Sequence, residues 1–346
     1  MNYKTTNPKG FFDEEFRLEK LSFQNDPLVK LKERIDFELF RPLLEEAFRK
    51  EEKGIGGARP YDYVLMFKIL ILQRYYNIGD DKMEFAILDR LSFMRFLGLT
   101  LSDKVPDAKT IWLFREQLIN ANAVEKLFDL FKEELQKKNL IANEGKIIDA
   151  SFVEVPIQRN SREENKQIKE GKIPDEWKEN SNKLEQKDTD ARWTKKNGKS
   201  YYGYKDHVKA DEKSKLIDTY TVTDASVHDS QETEPLLTEE DKGQPLHADS
   251  AYSGEPVQEL VEKNEMKNHI HEKGYRNNAL TEEQKESNRI KSKTRARVEH
   301  VFGFIENSMN GSFIRTIGMK RATAVIGLMN LTYNIFRAIQ LNYSSA

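Results

Sequence analysis

The sequence predicts an α+β protein in which an all-helical region, residues 1–143, precedes a mixed sheet flanked by helices over 144–346. Three observations carry this. Apolar residues recur at helical spacing through the first region; three β-rich runs able to form a meander follow directly; and beyond them helical and strand patterns alternate before a helical end. With 346 residues, 38% of them hydrophobic, the chain can bury a substantial core and suggests two domains. It has no cysteine, which excludes a disulfide scaffold, thiol catalysis, iron–sulfur clusters and zinc held by thiolates.

The elements follow in order. Asp26-Pro27 reads as a helix start, with Leu28, Leu31, Ile35, Leu39, Leu43 and Leu44 at helical spacing behind it. Residues 53–60 (KGIGGARP) form a Gly-rich break, and an almost wholly apolar helix follows over 60–76. Further helices are expected near 81–90, 91–97, from Pro106 through Leu118, and over 123–138. The stretch around 91–118 has the outline of a helix-turn-helix offering Lys109 and Arg115 to DNA, although an ordinary bundle with Trp112 and Phe114 in its core fits better. After Asn143 strands are expected over 146–156, 201–210 and 216–225, then a helix over 230–237. A strand over 245–252 (PLHADSAY), a helix over 255–264 and a strand over 268–273 come next, with helices over 281–287, 292–307 and 322–340. Residues 158–200, rich in Lys, Glu, Asn and Gln, read as an exposed, partly disordered insertion.

Charge is unevenly spread. Residues 1–143 carry 24 Lys+Arg against 24 Asp+Glu, residues 144–288 carry 23 against 32, and residues 289–346 carry 9 against 2. An acidic middle and a basic end suit a site that gathers cations beside a polyanion, as well as they suit chance. Residues 1–20 lack the apolar stretch of a signal peptide, and the apolar run near 63–76 is interrupted by Lys68 and Arg74, so a soluble cytoplasmic protein with no membrane association is expected.

Three carboxylates stand out. Asp149 lies within the apolar strand KIIDASF, Asp249 near the end of LHADSAY, and Glu299 on the helix in NRIKSKTRARVEHVFGFIE. An ionised carboxylate in such a strand is costly unless it is paired or binds a cation, while a strand-end Asp is commonly only a cap or turn residue. Together they supply oxygen ligands alone, which suits Mg²⁺ or Mn²⁺ and disfavours zinc. Arg295 and Glu299 share a helix face at i,i+4, inside a run of basic residues formed by Arg289, Lys291, Lys293, Arg295 and Arg297. That helix can hold a metal and grip a phosphodiester, or be a solvated helix with one weak ion pair. His269 and His271 alternate on one strand face without a third ligand, and His300 reads as structural or DNA-contacting. Trp193 can stack on an unpaired base or anchor the insertion, and Lys195, Lys196, Lys199 and Lys205 can contact phosphates or decorate a solvated hairpin.

The stretches IIDAS, ARWTKKNGKSYYGYKDHVKAD, LIDTYTVTDASVHDSQ, LHADSAYSG and NRIKSKTRARVEHVFG, in that order over about 144–310, resemble a bacterial insertion-sequence DDE transposase. The helical 1–143 is similar to the N-terminal region of such enzymes. The resemblance implies an RNase H-like core in which Asp149, Asp249 and Glu299 hold two Mg²⁺ ions, with Mn²⁺ as a substitute. It further implies a homodimer on double-stranded DNA that binds terminal inverted repeats partly through residues 1–143, cleaves at the element's 3′ ends and joins them to target DNA, in the bacterial nucleoid. Lys291, Lys293, Arg295, Arg297, Lys195, Lys196, Lys205, Lys109 and Arg115 are then the expected DNA contacts. The family pattern Tyr-x2-Arg-x3-Glu-x6-Lys is met by Arg295 and Glu299, whereas Ser292 takes its Tyr position and Glu306 its Lys position. Two rival classes remain: an end-binding DNA protein with a decayed site, and a paired-carboxylate hydrolase such as a glycosidase, against which the basic C-terminal helix argues.

Overall fold

The computed structural model describes residues 10–49, 59–196, 198–275 and 278–343; the Gly-rich break lies outside these but for its last two positions. The helical region comprises α1 (Asp13–Phe23), α2 (Pro27–Arg34), α3 (Arg41–Ala47), α4 (Tyr63–Tyr76), α5 (Asp80–Asp89), α6 (Leu91–Leu97), α7 (Ala108–Asn120) and α8 (Ala123–Lys137). Asp62 starts α4 by accepting the Leu65 N–H at 3.0 Å, and Asn77, in the left-handed conformation, ends it. The helix expected to run unbroken from Asp26 to Leu44 is instead interrupted after Arg34. The Asp36 side chain accepts the Glu38 N–H and opens a 3₁₀ turn over Phe37–Phe40, and Pro42 sits in the first turn of α3. A continuous helix would have forfeited the hydrogen bond that Pro42 cannot donate. α7 packs chiefly on α5, where Arg115 clasps Asp80 at 2.6 and 2.8 Å. Arg115 is therefore a structural ion pair and not a free DNA contact. Phe114 is buried as a bundle predicts, but Trp112 is 41% exposed.

The sheet is built from β1 (Lys146–Glu154), β3 (Lys199–Asp211), β4 (Ile217–Asp224), β5 (Pro245–His247) and β6 (Lys267–Asn268), with β2 (Arg192–Lys196) paired to the first half of β3 as a hairpin. Its order β4-β3-β1-β5-β6 is antiparallel from β4 to β1 and parallel from β1 to β6. This is the mixed sheet flanked by helices that the sequence predicts. On one face the apolar core is continuous with that of the helical region, and α16 (Met319–Gln340), buried on nearly every side, joins them through α4, α8 and β4. On the other face Ile148, Leu246, Ala248 and Tyr252 pack with α12 (Thr233–Leu236) and α13 (Glu255–Lys263). Lys146, Lys209, Asp218 and Asp241 are buried and joined by ion pairs of 2.6–3.8 Å, and Lys132 of α8 reaches Asp218 at 3.0 Å.

Several expectations are corrected. The insertion over 158–200 is folded: it holds α9 (Arg162–Lys169), α10 (Asp175–Glu179), α11 (Ser181–Glu185) and β2. Ser161 and Glu164 form a reciprocal cap, fully buried Trp177 donates to Glu164 at 2.7 Å, and Tyr204 of β3 donates to Asp188 at 2.8 Å. One large aromatic with satisfied polar neighbours thus supplies the small core that composition concealed. The strand at 245–252 stops at His247, because Asp249 caps a 3₁₀ turn, and the strand at 268–273 keeps ladder geometry only over Lys267–Asn268. The two helices expected over 281–307 are one path: α14 (Glu282–Arg295), a 3₁₀ turn at Ala296–Val298, α15 (Glu299–Gly303) and a π turn at Phe304–Ser308.

Candidate active site

β1 is covered along Lys146 and Ile147 by β5, which then ends, so the edge of β1 beyond Ile147 opens into a notch. Asp149 projects there from a strand that is otherwise apolar. Its Oδ1 accepts the Ala150 N–H at 2.9 Å, and its Oδ2 accepts from Arg295 Nη1 at 2.9 Å. Burial pushes the Asp149 carboxyl up to about 6, and the charge of Asp249 adds to this, while the Ala150 amide and Arg295 pull the other way. Asp249 lies just past the end of β5 and accepts the Ala251 N–H at 2.7 Å. Glu299, the first residue of α15, faces solvent, and its Oε1 stands 4.0 Å from Arg295 Nη2. Arg295 therefore spans the first and third carboxylates, with its Nε buried and without a partner.

The donor set is all oxygen. A desolvated Asp149 beside a like charge is a group that a divalent cation would return to its ionised form, so the residues fit Mg²⁺ or Mn²⁺. Among the described residues, no three acidic or imidazole side chains are gathered closely enough to hold an ion as they stand. Arg295 supplies the positive charge that Asp149 faces.

Other expected site residues fall into three groups. Lys293, Lys195 and Lys109 are exposed, and Lys196 is 47% exposed with Asp229 at 4.0 Å. Lys291 donates to the Ile270 carbonyl at 2.9 Å, and Arg297 pairs with Glu212 at 2.7 Å. Lys205 is buried and donates to Asp229 and the Val227 carbonyl, so it is not available to a phosphate, contrary to expectation. The histidines divide as well. The hydrogen bond from His271 N–H to the Ala248 carbonyl, 3.1 Å, carries the parallel register onward and sets His271 in the row of Asp249. Its Nε2 lies 3.3 Å from Ser292 Oγ, and burial and Arg295 lower its pKa. His269 lies instead against buried His247, rings 4.9 Å apart and tilted, and burial lowers the His247 pKa to about 4. His300 lies 3.4 Å from the Tyr333 hydroxyl, a structural contact.

Sequence reasoning gave Glu306 no role at the site. The π turn brings it to Ser151, two residues beyond Asp149 on the same face of β1, where Oε1 accepts at 3.0 Å. Its only sequence signal is its place in the departure from the family pattern. π turns are frequent at functional sites.

The mixed sheet thus carries Asp149 on its central strand and Asp249 just past the neighbouring one, with the basic helix α14 leading to Glu299. Residues 142–335 match the family described as "Transposase DDE domain", and residues 16–117 one described as "Transposase domain". The chain belongs to the transposase DDE-domain family. Among solved structures it is similar to a piggyBac transposase in a synaptic complex with hairpin DNA, at 14% identity over 92% of this chain and 75% of that one, with a TM-score of 0.44. No described helix is long and apolar enough to cross a membrane.

Proposed function

We propose that this transposase binds the terminal inverted repeats of its insertion sequence, hydrolyses the phosphodiester at the element's 3′ ends and joins them to target DNA. The observation that carries the reading is the desolvated, cation-seeking Asp149 beside Asp249, with Glu299 reaching towards the same arginine. Asp149, Asp249 and Glu299 are the residues that would hold two Mg²⁺ or Mn²⁺ ions, which when bound supply an activated water or 3′-hydroxyl and a stabilised leaving oxygen. The chain's own residues prepare that chemistry. The apolar strand around Asp149 excludes water and strengthens every charge interaction at the notch. Arg295 is placed to leave Asp149 for a DNA phosphate, and exposed Lys293 and Lys196 are placed to neutralise its neighbours. Neutral His271, beside Asp249 in the row, can accept a proton without adding charge to the resting site. The helical residues 1–143 take repeat binding and dimerisation, and residues 144–346 the chemistry.

The experiment is cleavage of a labelled duplex carrying the terminal repeat, with Mg²⁺ and then Mn²⁺, by the wild-type chain and by Glu299→Gln. Cutting by wild type alone, with end binding kept by both, is the expected result. Equal cutting by both removes Glu299 from the site, and binding without cutting by wild type leaves an end-binding protein with a decayed site.

A further inference from the structure

The β2–β3 hairpin reaches past the end of β1: the β1–β3 ladder stops at Glu154↔Gly203, while Arg192↔Gly203 through Lys196↔Lys199 continue it outward. Strand alternation sorts its side chains. Trp193, Lys195 and Tyr202 share one face; Lys196, Lys199, Tyr201 and Lys205 share the other, together with Phe152 of β1. On that second face the Phe152 and Tyr201 rings stack at 4.2 Å with planes 13° apart. Lys205 and Lys196 stand 5.3 and 5.7 Å from the Phe152 centroid, and Lys199 stands 4.6 Å from that of Tyr201.

These lysines differ in freedom. Lys205 is locked under the ring by Asp229 at 2.7 Å. Lys196 and Lys199 are 47% and 65% exposed, and their acidic neighbours, Asp229 and Glu154, are distant at 4.0 and 3.8 Å. Both rings remain partly exposed. Asp149 precedes Phe152 by three residues on the same strand, about 10 Å along it, with its side chain on the other face of the sheet. A ring pair wanted only for packing would be covered by the core. This pair is covered by half-exposed cations that a polyanion can draw away.

Stacking on an aromatic face is open to a base only when the base is unpaired, whereas lysines take phosphates from any strand. We propose that the Phe152–Tyr201 face of the hairpin binds an unpaired stretch of a DNA strand. A base lies on Tyr201 in the place of the Lys199 ammonium, and Lys196 and Lys199 hold the flanking phosphates. Trp193, on the opposite face against Tyr202, is not the stacking residue. The inference rests on DNA being the substrate and needs no cleavage.

The test uses the full chain in EDTA and a duplex with a short single-stranded tail whose first base is 2-aminopurine, compared with the fully paired duplex. Binding by wild type is expected to quench the tail fluorophore. Tyr201→Leu is expected to lose the quench and to bind the tailed DNA about 5- to 150-fold more weakly, with the paired duplex unaffected, while Tyr201→Trp keeps both. Lys199→Gln, outside either core, is expected to keep the fold and lower the salt slope by about 0.7 on tailed DNA alone. Tailed and paired DNA bound alike by wild type, Tyr201→Leu and Lys199→Gln, without quenching, would overturn the proposal. Asp149→Ala is expected to keep the quench, so failure of the carboxylate assignment and failure of the stacking face give different results.

Discussion

Arg295→Gln should tighten divalent-ion binding to the DNA-free protein. The guanidinium donates to Asp149 Oδ2 at 2.9 Å in a partly buried setting, and an entering ion must break that contact. A charge-assisted hydrogen bond of this kind contributes about 1.5–3 kcal/mol. The second contact, 4.0 Å to a Glu299 side chain that is 65% exposed, adds little. Removing the cation should therefore improve apparent Mn²⁺ affinity roughly 10- to 150-fold. Gln keeps an amide near Asp149 but no charge, so the desolvated carboxyl, already raised to about 6, rises further. The comparison belongs at pH 8, where wild-type Asp149 is ionised; losing the same ~1.5–3 kcal/mol raises the variant's carboxyl by roughly one to two pH units, which takes back at most about threefold of the gain. Free Mn²⁺ followed by electron paramagnetic resonance during titration reads the affinity directly, with Asp149→Ala as the non-binding control. Unchanged or weaker binding by Arg295→Gln would refute the idea that Arg295 occupies the place of the cation. Titrated against pH, wild-type affinity should fall as pH drops through about 6, where the proton competes for Asp149.

Other outcomes follow from the same chemistry. Asp206 is fully buried, takes one hydrogen bond from Asn330 at 3.0 Å, and is raised by burial to about 7. Its folded pKa lies above the unfolded one, so stability is fullest below about pH 4 and declines as pH rises to about 7. Asp206→Asn should flatten that limb in urea denaturation and gain up to about 4 kcal/mol at pH 7; an unchanged profile would place the titration elsewhere. Asp218 is held well below the usual carboxylate range because Lys209, Lys146 and Lys132 outweigh its burial. It contributes stability above its unfolded pKa that is lost on acidification, and Lys209→Met, which leaves Asp218 and Asp241 short of a cation, should cost about 3–5 kcal/mol in urea denaturation. Trp177→Ala should unfold the segment around α9–α11, at about 3–5 kcal/mol if it unfolds with the rest, and hydrogen exchange confined to that segment would show it opening alone.

Legibility varied with the kind of signal. Some elements stood in the sequence almost to the residue: α6 at Leu91–Leu97, stopped by Gly98 in the left-handed conformation, the amphipathic α8, and the long apolar α16. Interruptions were harder, because the Asp36 cap and Pro42 break a pattern whose apolar spacing alone continues through them. The insertion was misjudged for the opposite reason: its order comes from Trp177 and a few polar bonds, which contribute little to any average over composition. Asp149, Asp249 and Glu299 were readable as unusual carboxylates. Their partners were not, since Arg295 on Asp149, Glu306 at Ser151 and His271 in the row of Asp249 join residues far apart in the chain.

By itself the sequence determined the α+β order, the apolar strand that makes Asp149 costly to ionise, the oxygen-only donor set and the cationic helix that faces it. These are local properties, fixed by period, capping and residue chemistry along one stretch of chain. Only the tertiary structure decided which charges are spent on one another. Arg115 with Asp80 and Lys205 with Asp229 are closed pairs, Arg295 lies across Asp149, and Lys196 and Lys199 remain loose over a stacked ring pair. A lysine or arginine reads the same in a sequence whether it faces a phosphate or a buried carboxylate, and the difference is made by the strand register and helix packing that bring its partner within about 3 Å.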